Sequence, residues 1–299
     1  FYMHLNCHSY YSLRYGTIAP KDLIEWANQN NISQFALTDI NSTSACLETI
    51  RLAKQYRIRV IPGVDFRTDH QQRFIILSKN ANGFANINAY LSNLLHQPKF
   101  ILPDVAPVLE DTYVIYPYRI GKNINLKVHE YLGVSPNDLN QIPCSPWRHQ
   151  PQKLVALQTI SFKHQKDFNT HRLLRAIDCN TLLSKLPANQ QGQLNHCLMT
   201  PKILRAHFSN TPELLYQSNE LLGTCQTDFD FSISTSNNQK TYTKNANLDF
   251  RLLKHLTYQG LAYRYPQPTK NVFERINKEL DTIKSMGFVS FFLINWSIL

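Results

Sequence analysis

The sequence predicts an α/β fold in its N-terminal part, followed by a mainly helical C-terminal part. In the first ~95 residues, short apolar runs alternate with amphipathic segments at the spacing of βα units. From about residue 201 onward, the apolar residues recur with a helical period instead. The chain has 299 residues, of which 43% are hydrophobic, so it can bury a sizeable core.

The N-terminal elements follow from these runs. Strands are predicted at 1–5, 35–39, 58–62 and 73–78, and helices at 20–28, 44–56 and 85–95. Pro20 suits the first turn of a helix, and Leu23, Ile24 and Ala27 share one face of it. Strands that alternate with helices in this way indicate a mostly parallel sheet or barrel.

The middle of the chain is less regular, and the end is helical. Proline-rich loops are predicted at 98–107 and 140–152, strands at 111–118 and 154–162, and helices at 168–186, 201–208, 212–222, 248–264 and 273–286. In the helix at 168–186, the predicted core face is Leu173, Leu174, Ile177 and Leu182. The polar stretch 232–247 is predicted to be an exposed linker, and Gly287 a helix C-cap.

Composition excludes several classes of protein. No stretch approaches the ~18 apolar residues of a membrane span, and no signal peptide is visible, so a cytoplasmic protein is expected. The six cysteines form no CxxC pair and are predicted to be buried free thiols. The net charge of +10 favours polyanions, but the basic residues are spread along the chain. Nucleotide-binding, zinc-protease and serine-hydrolase motifs are absent.

Three short segments carry polar residues at the ends of predicted strands. They are HLNCHSYYSL at 4–13, ALTDIN at 36–41 and VIPGVD at 60–65. In the same order, they resemble the motifs H-L-H-x-H-[ST]-x-Y-S-L, A-L-T-D-H-x-N and P-I-x-G-x-E of the PHP (polymerase and histidinol phosphatase) domain. Residues 274–294 resemble the stretch that opens the palm of bacterial DNA polymerase III alpha subunits. The chain thus resembles the N-terminal segment of that family, more loosely between 98 and 154.

The resemblance implies a fold and a division into domains. The fold would be a PHP-type distorted (β/α)7-like barrel with a mainly helical C-terminal extension that leads into the polymerase palm. The PHP domain would span 1–231, a linker and helical extension 232–272, and the start of a truncated palm 273–299. In active relatives, strand ends present His, Asp and Glu to a cluster of divalent metals that activates a water molecule.

This chain departs from the family at several ligand positions. Asn6 and Ile40 replace histidines, Asp65 replaces a glutamate, and Thr159 and Ser161 replace the Asp and His of a D-V-H element. The vestigial site implied by the resemblance comprises His4, Asn6, His8, Asp39, Ile40, Asp65, Thr159 and Ser161. An asparagine amide is a poor transition-metal ligand, and isoleucine cannot ligate.

The remaining ligands leave two interpretations open. His8, Asp39 and Asp65, with His4 as a further candidate, could hold one loosely bound ion but not a catalytic cluster. Alternatively, His8 is hydrogen-bonded inside a polar pocket, and the two carboxylates cap turns or helix starts. Without a metal, the carboxylates would need a nearby Arg, Lys or protonated His, or other hydrogen-bond donors.

Three functions are compatible with these residues. The first is a structural and interaction module that supports the palm and thumb of the parent polymerase and docks a proofreading exonuclease. The second is a residual metal-dependent phosphoesterase, a 3′–5′ exonuclease or pyrophosphatase, that uses Zn or Mn. The third is a nucleic-acid-binding module. The palm carboxylates of the family lie beyond 299, so the resemblance implies no catalytic residue and no cofactor in this chain. Mg²⁺ and primed DNA would belong to the parent polymerase, and no membrane is expected.

Overall fold

A computed structural model describes residues 4–68, 71–231 and 240–299. The chain forms two compact units, Phe1–Phe231 and Ser232–Leu299. Unit 1 contains one sheet with the strands β1 (Asn6–Cys7), β2 (Gln34–Leu37), β3 (Arg59–Thr68), β4 (Gln71–Ser78), β5 (Thr112–Pro117), β6 (Glu130–Val134), β7 (Leu154–Ala156) and β8 (Thr159–Ile160). Their order is β7-β6-β5-β4-β3-β2-β1-β8. Neighbours are parallel except at β3–β4 and β4–β5, which are antiparallel.

The sheet curls so that its two edges approach each other. The edge strands β7 and β8 are separated in sequence only by Leu157 and Gln158. The α/β prediction is therefore confirmed, with the sheet as a curled half-barrel of eight strands. The single strand predicted at 154–162 is wrong, because this segment supplies both edges of the sheet. The sequence pattern did not reveal the break, because apolar residues lie on both sides of Gln158 and Thr159.

Helices cover the sheet of unit 1. They are α1 (Pro20–Gln29), α2 (Cys46–Ala53), α3 (Ala81–Leu95), α4 (Tyr118–Gly121), α5 (Phe168–Asp178), α6 (Pro201–His207) and α7 (Pro212–Gly223). Both faces of the sheet are buried, as β4 shows. Phe74 and Ile76 pack in one apolar cluster, whereas Ile75 and Leu77 pack in another. This alternation is the period of two that a strand imposes on its side chains.

Several predicted elements differ from the structure. The first strand lies at Asn6–Cys7 rather than at 1–5, of which 1–3 fall outside the described residues. Strand β6 was not predicted, because Glu130 and Gly133 interrupt its apolar pattern. Among the cysteines, Cys144 is exposed, so the expectation that all six are buried is wrong.

The predicted core face of the helix at 168–186 is also wrong. The helix ends at Asp178, and the side chains of Leu173, Ile177 and Leu182 are exposed. The buried face of α5 instead carries His171 and Arg175. Periodicity located the helix but selected the wrong face, because these two polar side chains make enough hydrogen bonds to be buried.

Unit 2 is helical, with α8 (Ala246–Arg264), α9 (Lys270–Ser285) and α10 (Val289–Ile298). Leu253, Leu280 and Leu293 form its buried apolar cluster. Gly287 follows α9 with a φ of 73°, which confirms the predicted C-cap. Part of the predicted linker, 232–239, lies outside the described residues. No helix in the described part of the chain is long and apolar enough to cross a membrane.

Candidate functional site

The site predicted from the motifs is assembled at the carboxyl ends of β1, β2, β3 and β8. Parallel pairing places Asn6 opposite Thr159, and the backbone of Ile40 forms a bridge with that of Asp65. Because parallel strands end at the same edge of a sheet, side chains from four separate segments meet there. Six of the eight predicted residues lie in one hydrogen-bonded region: Asn6, His8, Asp39, Asp65, Thr159 and Ser161.

Asp65 is the centre of this pocket. Its Oδ2 accepts hydrogen bonds from His8 Nε2 at 3.0 Å, Gln72 Nε2 at 2.8 Å and Asn6 Nδ2 at 3.3 Å. It also accepts from Arg67 Nε at 3.0 Å and Arg67 Nη2 at 2.7 Å. Oδ1, by contrast, is buried and has no hydrogen-bond partner. Burial alone would raise the pKa of Asp65, but Arg67 and His8 together lower it to about 2.

Arg67 supplies the cationic partner that the sequence reasoning left unidentified. Its side chain is only 6% exposed, and its guanidinium lies 4.9 Å from the centre of the Tyr15 ring. Burial would lower the pKa of Arg67, but the neighbouring Asp65 carboxylate raises it overall. The sequence contained a signal for this contact. Asp65 and Arg67 are two residues apart on one strand, and such residues project to the same face. The family motif, however, ends at Asp65 and did not draw attention to Arg67.

Asn6 acts as a bridge between strands. Thr38 Oγ1 donates to Asn6 Oδ1 at 2.7 Å, and Asn6 Nδ2 donates to Thr159 Oγ1 at 3.0 Å. The amide is therefore bonded through both its oxygen and its nitrogen. Two residues that the resemblance places at ligand positions, Asn6 and Thr159, are thus joined by a direct hydrogen bond.

His8 is fully buried and uses both ring nitrogens. Nδ1 lies 2.9 Å from Ser161 Oγ, and Nε2 lies 3.0 Å from Asp65 Oδ2. We assign the proton to Nε2, since a carboxylate can only accept, so that Nδ1 accepts from the Ser161 hydroxyl. Burial lowers the pKa of His8, although its hydrogen bond to Asp65 opposes this effect.

Asp39 is bonded to the turn that follows β1. Its carboxylate accepts from the Ser9 backbone N–H at 2.6 Å, Ser9 Oγ at 2.7 Å and Ser12 Oγ at 2.7 Å. Burial nevertheless raises its pKa. His4 is buried against Trp26 of α1, with the ring centroids 5.4 Å apart, and burial lowers its pKa to about 4.

The sequence reasoning missed a second layer of buried polar residues. Two guanidiniums lie near the ring of Tyr15, that of Arg67 at 4.9 Å and that of Arg175 at 5.8 Å from its centre. His171 Nδ1 donates to the Tyr15 carbonyl oxygen at 2.7 Å, and the Gly192 N–H donates to His171 Nε2 at 2.8 Å. The i, i+4 spacing of His171 and Arg175 indicates that they share one face of α5. The sequence analysis instead assigned the buried face to the apolar residues of this helix.

An open cleft of about 620 Å³ lies above the pocket. Its lining includes Tyr15, Arg67 and Arg119, together with neutral amides such as Gln72 and Gln158. Arg119 lies on the cleft wall, is largely exposed and pairs with Asp138 at 3.1 Å. Among the described residues that line it, Asp138 is the one carboxylate, and the cleft otherwise offers arginine and neutral hydrogen-bonding groups.

At the predicted site, most side-chain atoms that could bind a metal are hydrogen-bonded to other protein groups. Both oxygens of Asp39 and both nitrogens of His8 are used in hydrogen bonds, and Asp65 keeps only Oδ1 free. Ile40 has no donor atom in its side chain. Within 4–68, 71–231 and 240–299, no group of three or more His, Cys, Asp or Glu residues is arranged to hold a metal ion.

Comparison with known families gives two matches along the chain. Residues 4–120 match the family described as PHP domain. Residues 251–299 match the family described as bacterial DNA polymerase III alpha NTPase domain.

Individual known proteins are similar over almost the whole chain. The DNA polymerase III subunit alpha of Ureaplasma parvum is 25% identical over 299 residues, which cover 98% of this chain and 28% of that protein. The corresponding Bacillus subtilis subunit is 22% identical, over 100% of this chain and 29% of its own length. An error-prone DNA polymerase of Symbiobacterium thermophilum is 21% identical, over 99% of this chain and 32% of its own length. The chain thus spans about a third or less of these relatives.

Proposed function

We propose that this chain acts as a structural and interaction module with a degenerate metal site. The proposal starts from its matches to the PHP domain and to the N-terminal region of bacterial DNA polymerase III alpha subunits. Its parent would be a DNA-directed DNA polymerase of chromosome replication, working in the cytoplasm. In that parent, Mg²⁺ would serve the polymerase site, and primed DNA would contact the remainder of the protein.

The observation that carries this proposal is the hydrogen bonding between the side chains of the pocket, which leaves Asp65 Oδ1 without a partner. Strand-end atoms that would have to bind a metal cluster are instead bonded to one another, from Asn6 to Thr159 and from His8 to Ser161 and Asp65. A hydrogen-bonded network of this kind stabilises the strand ends directly. No water-activating centre is then required for the pocket to be stable.

Exposed apolar side chains in unit 2 support the interaction role. Phe288, Phe291, Phe292 and Trp296 are exposed, Phe291 by 60% and Trp296 by 52%. A group of aromatic side chains in water is typical of a surface that another protein segment covers. The relatives are about three times as long as this chain, so we propose that the palm and thumb of the parent cover this surface. A proofreading exonuclease subunit is proposed as a further partner.

Metal content tests the degenerate site. The purified chain is incubated with excess Mn²⁺ and Zn²⁺, freed of unbound metal by gel filtration and measured by elemental analysis. We expect well below one ion per chain, because the ligand atoms are occupied. The matched control is Asp65→Asn, which would remove an ion held in the pocket but leave one held by surface histidines.

The opposite result would favour the second candidate. If two or three ions remain per wild-type chain and disappear in Asp65→Asn, the site is a metal cluster, and the chain becomes a candidate phosphoesterase. Hydrolysis of a phosphodiester such as bis-p-nitrophenyl phosphate, with and without chelator, would then be measured.

The interaction role is tested in the full-length parent. Phe292→Asp and Trp296→Asp should each lower its melting temperature by several degrees, since a charge would be buried at the proposed contact. Val128→Asp is the matched control, because Val128 is an 89% exposed apolar residue of unit 1. Equal effects of all three substitutions would contradict a covered surface at α10.

A further inference from the structure

We propose that Arg67 is the resident cation of the pocket, and that its guanidinium excludes a divalent ion which Asp65 and His8 would otherwise bind. This inference deepens the proposed function and rests on it. Arg67 lies outside the three motifs, and its positive charge stabilises the pocket without a metal.

The buried Asp65 carboxylate requires a counter-charge. The Asp65 side chain is 0% exposed, and a buried carboxylate without a counter-charge is strongly unfavourable. Of the described residues, only Arg67 and His8 form an ion-pair contact with it. His8 carries a charge only if it is protonated, whereas the Arg67 guanidinium is permanently charged and lies 2.7 Å from Asp65 Oδ2. Arg67 is therefore the group that compensates Asp65 at neutral pH.

The geometry fixes this cation in place. Nε and Nη2 of Arg67 both donate to the same oxygen, Asp65 Oδ2, at 3.0 Å and 2.7 Å. The guanidinium also lies over the Tyr15 ring at 4.9 Å, in the range of a cation–π contact. A side chain held by a carboxylate and by a ring has little freedom to move out of the pocket.

The same geometry excludes a second cation. Asp65 Oδ2 is shared by Arg67 and His8 Nε2, so an ion bound there would lie next to the guanidinium and be repelled by it. Asp65 Oδ1 is buried and has no hydrogen-bond partner. This is expected when Arg67 is the counter-charge, because both of its N–H donors point at Oδ2. Removal of the guanidinium would take away the fixed positive charge and two of the donors to Oδ2, and would leave the His8 imidazole and the Asp65 carboxylate side by side. This pair suits Zn²⁺ or Mn²⁺ as a site for one ion.

The test compares variants of the full chain after treatment with chelator. Arg67→Ala removes the cation, Arg67→Lys keeps a charge, and Arg119→Ala removes an exposed arginine from the same cleft. Melting temperatures and bound metal are measured without divalent ions and with millimolar ZnCl₂ or MnCl₂.

We expect Arg67→Ala to lower the melting temperature by about 6–12 °C without metal, as for a broken buried ion pair. Zn²⁺ or Mn²⁺ should restore several degrees, and about one ion should bind per chain. Linkage stabilises the folded state about a hundredfold when the ion is at 100 times its dissociation constant. Wild type, Arg67→Lys and Arg119→Ala should show no gain from either metal.

Each contrary outcome overturns a different statement. Tight metal binding by the wild type would contradict both the proposed function and this inference. A metal-insensitive Arg67→Ala, with a metal-free wild type, would overturn the inference and leave the proposed function standing. If Arg67→Ala does not fold alone, it is refolded with and without Zn²⁺ or Mn²⁺. Recovery of folded chain only with the ion supports the inference, and no recovery refutes it.

Discussion

The substitution Asp65→Asn measures most directly how much the charged hydrogen bonds of the pocket contribute to the free energy of unfolding. The substitution keeps the shape of the side chain and removes its charge. Arg67, 6% exposed, then becomes a buried cation without a counter-charge, and the hydrogen bonds at Oδ2 lose their charged acceptor. We expect a loss of about 3–5 kcal/mol in the free energy of unfolding at pH 7, the range for breaking a buried ion pair.

The pH dependence supplies an independent estimate. The pKa of Asp65 is about 2 in the folded chain, against an ordinary value of 3.8. At about 1.4 kcal/mol per pKa unit, this difference corresponds to about 2 kcal/mol of stability. Because the folded pKa is the lower one, that stability is fully present above about pH 4. It is lost as the pH falls from 3.8 towards 2.

The assay is urea unfolding of wild type and Asp65→Asn at pH 7, 5, 4, 3 and 2, followed by circular dichroism and tryptophan fluorescence. The difference between the two proteins should shrink by about 2 kcal/mol below pH 4. Asp104→Asn is the control, since Asp104 is 92% exposed in its 3.5 Å pair with Arg73, and it should cost at most about 1 kcal/mol. A cost below about 1 kcal/mol for Asp65→Asn at pH 7, or one independent of pH, would refute the reasoning.

Other expectations concern the surroundings of the pocket and unit 2. Gly16→Ala would place a Cβ 2.0 Å from the Ser9 carbonyl oxygen, and should lower stability by about 1–3 kcal/mol or more in urea unfolding. Asp249→Asn removes the carboxylate that accepts from the Thr243 N–H at 2.7 Å before α8. It should cost about 1–2 kcal/mol at pH 7, seen as earlier loss of helical signal on heating. Burial lowers the pKa of His171 to about 4 from 6.5, so unfolding should take up protons between pH 6.5 and 4. The free energy of unfolding should therefore decrease as the pH falls from 6.5 to 4. His171→Asn should weaken this pH dependence, measured in calorimetric melts.

Much of the site was predictable, because motif positions at strand ends are local features of sequence. Three segments placed Asn6, His8, Asp39 and Asp65 at carboxyl ends of parallel strands, and parallel pairing brought them together. The role of Arg67 was not predictable in the same way. A surface strand and a buried one can both carry an arginine. Only the folded structure shows that Arg67 is buried, in contact with Tyr15 and Asp65.

The sequence by itself determined the α/β class, many of the strands and helices, the helical end and the glycine that terminates α9. These follow from short-range periodicity and from backbone preferences. Tertiary structure decided that 154–162 divides between the two edges of the sheet, that α5 buries His171 and Arg175, and that Arg67 compensates Asp65. The physical reason is that a polar group can be buried only when partners remote in sequence satisfy it, and those partners exist only in the folded chain.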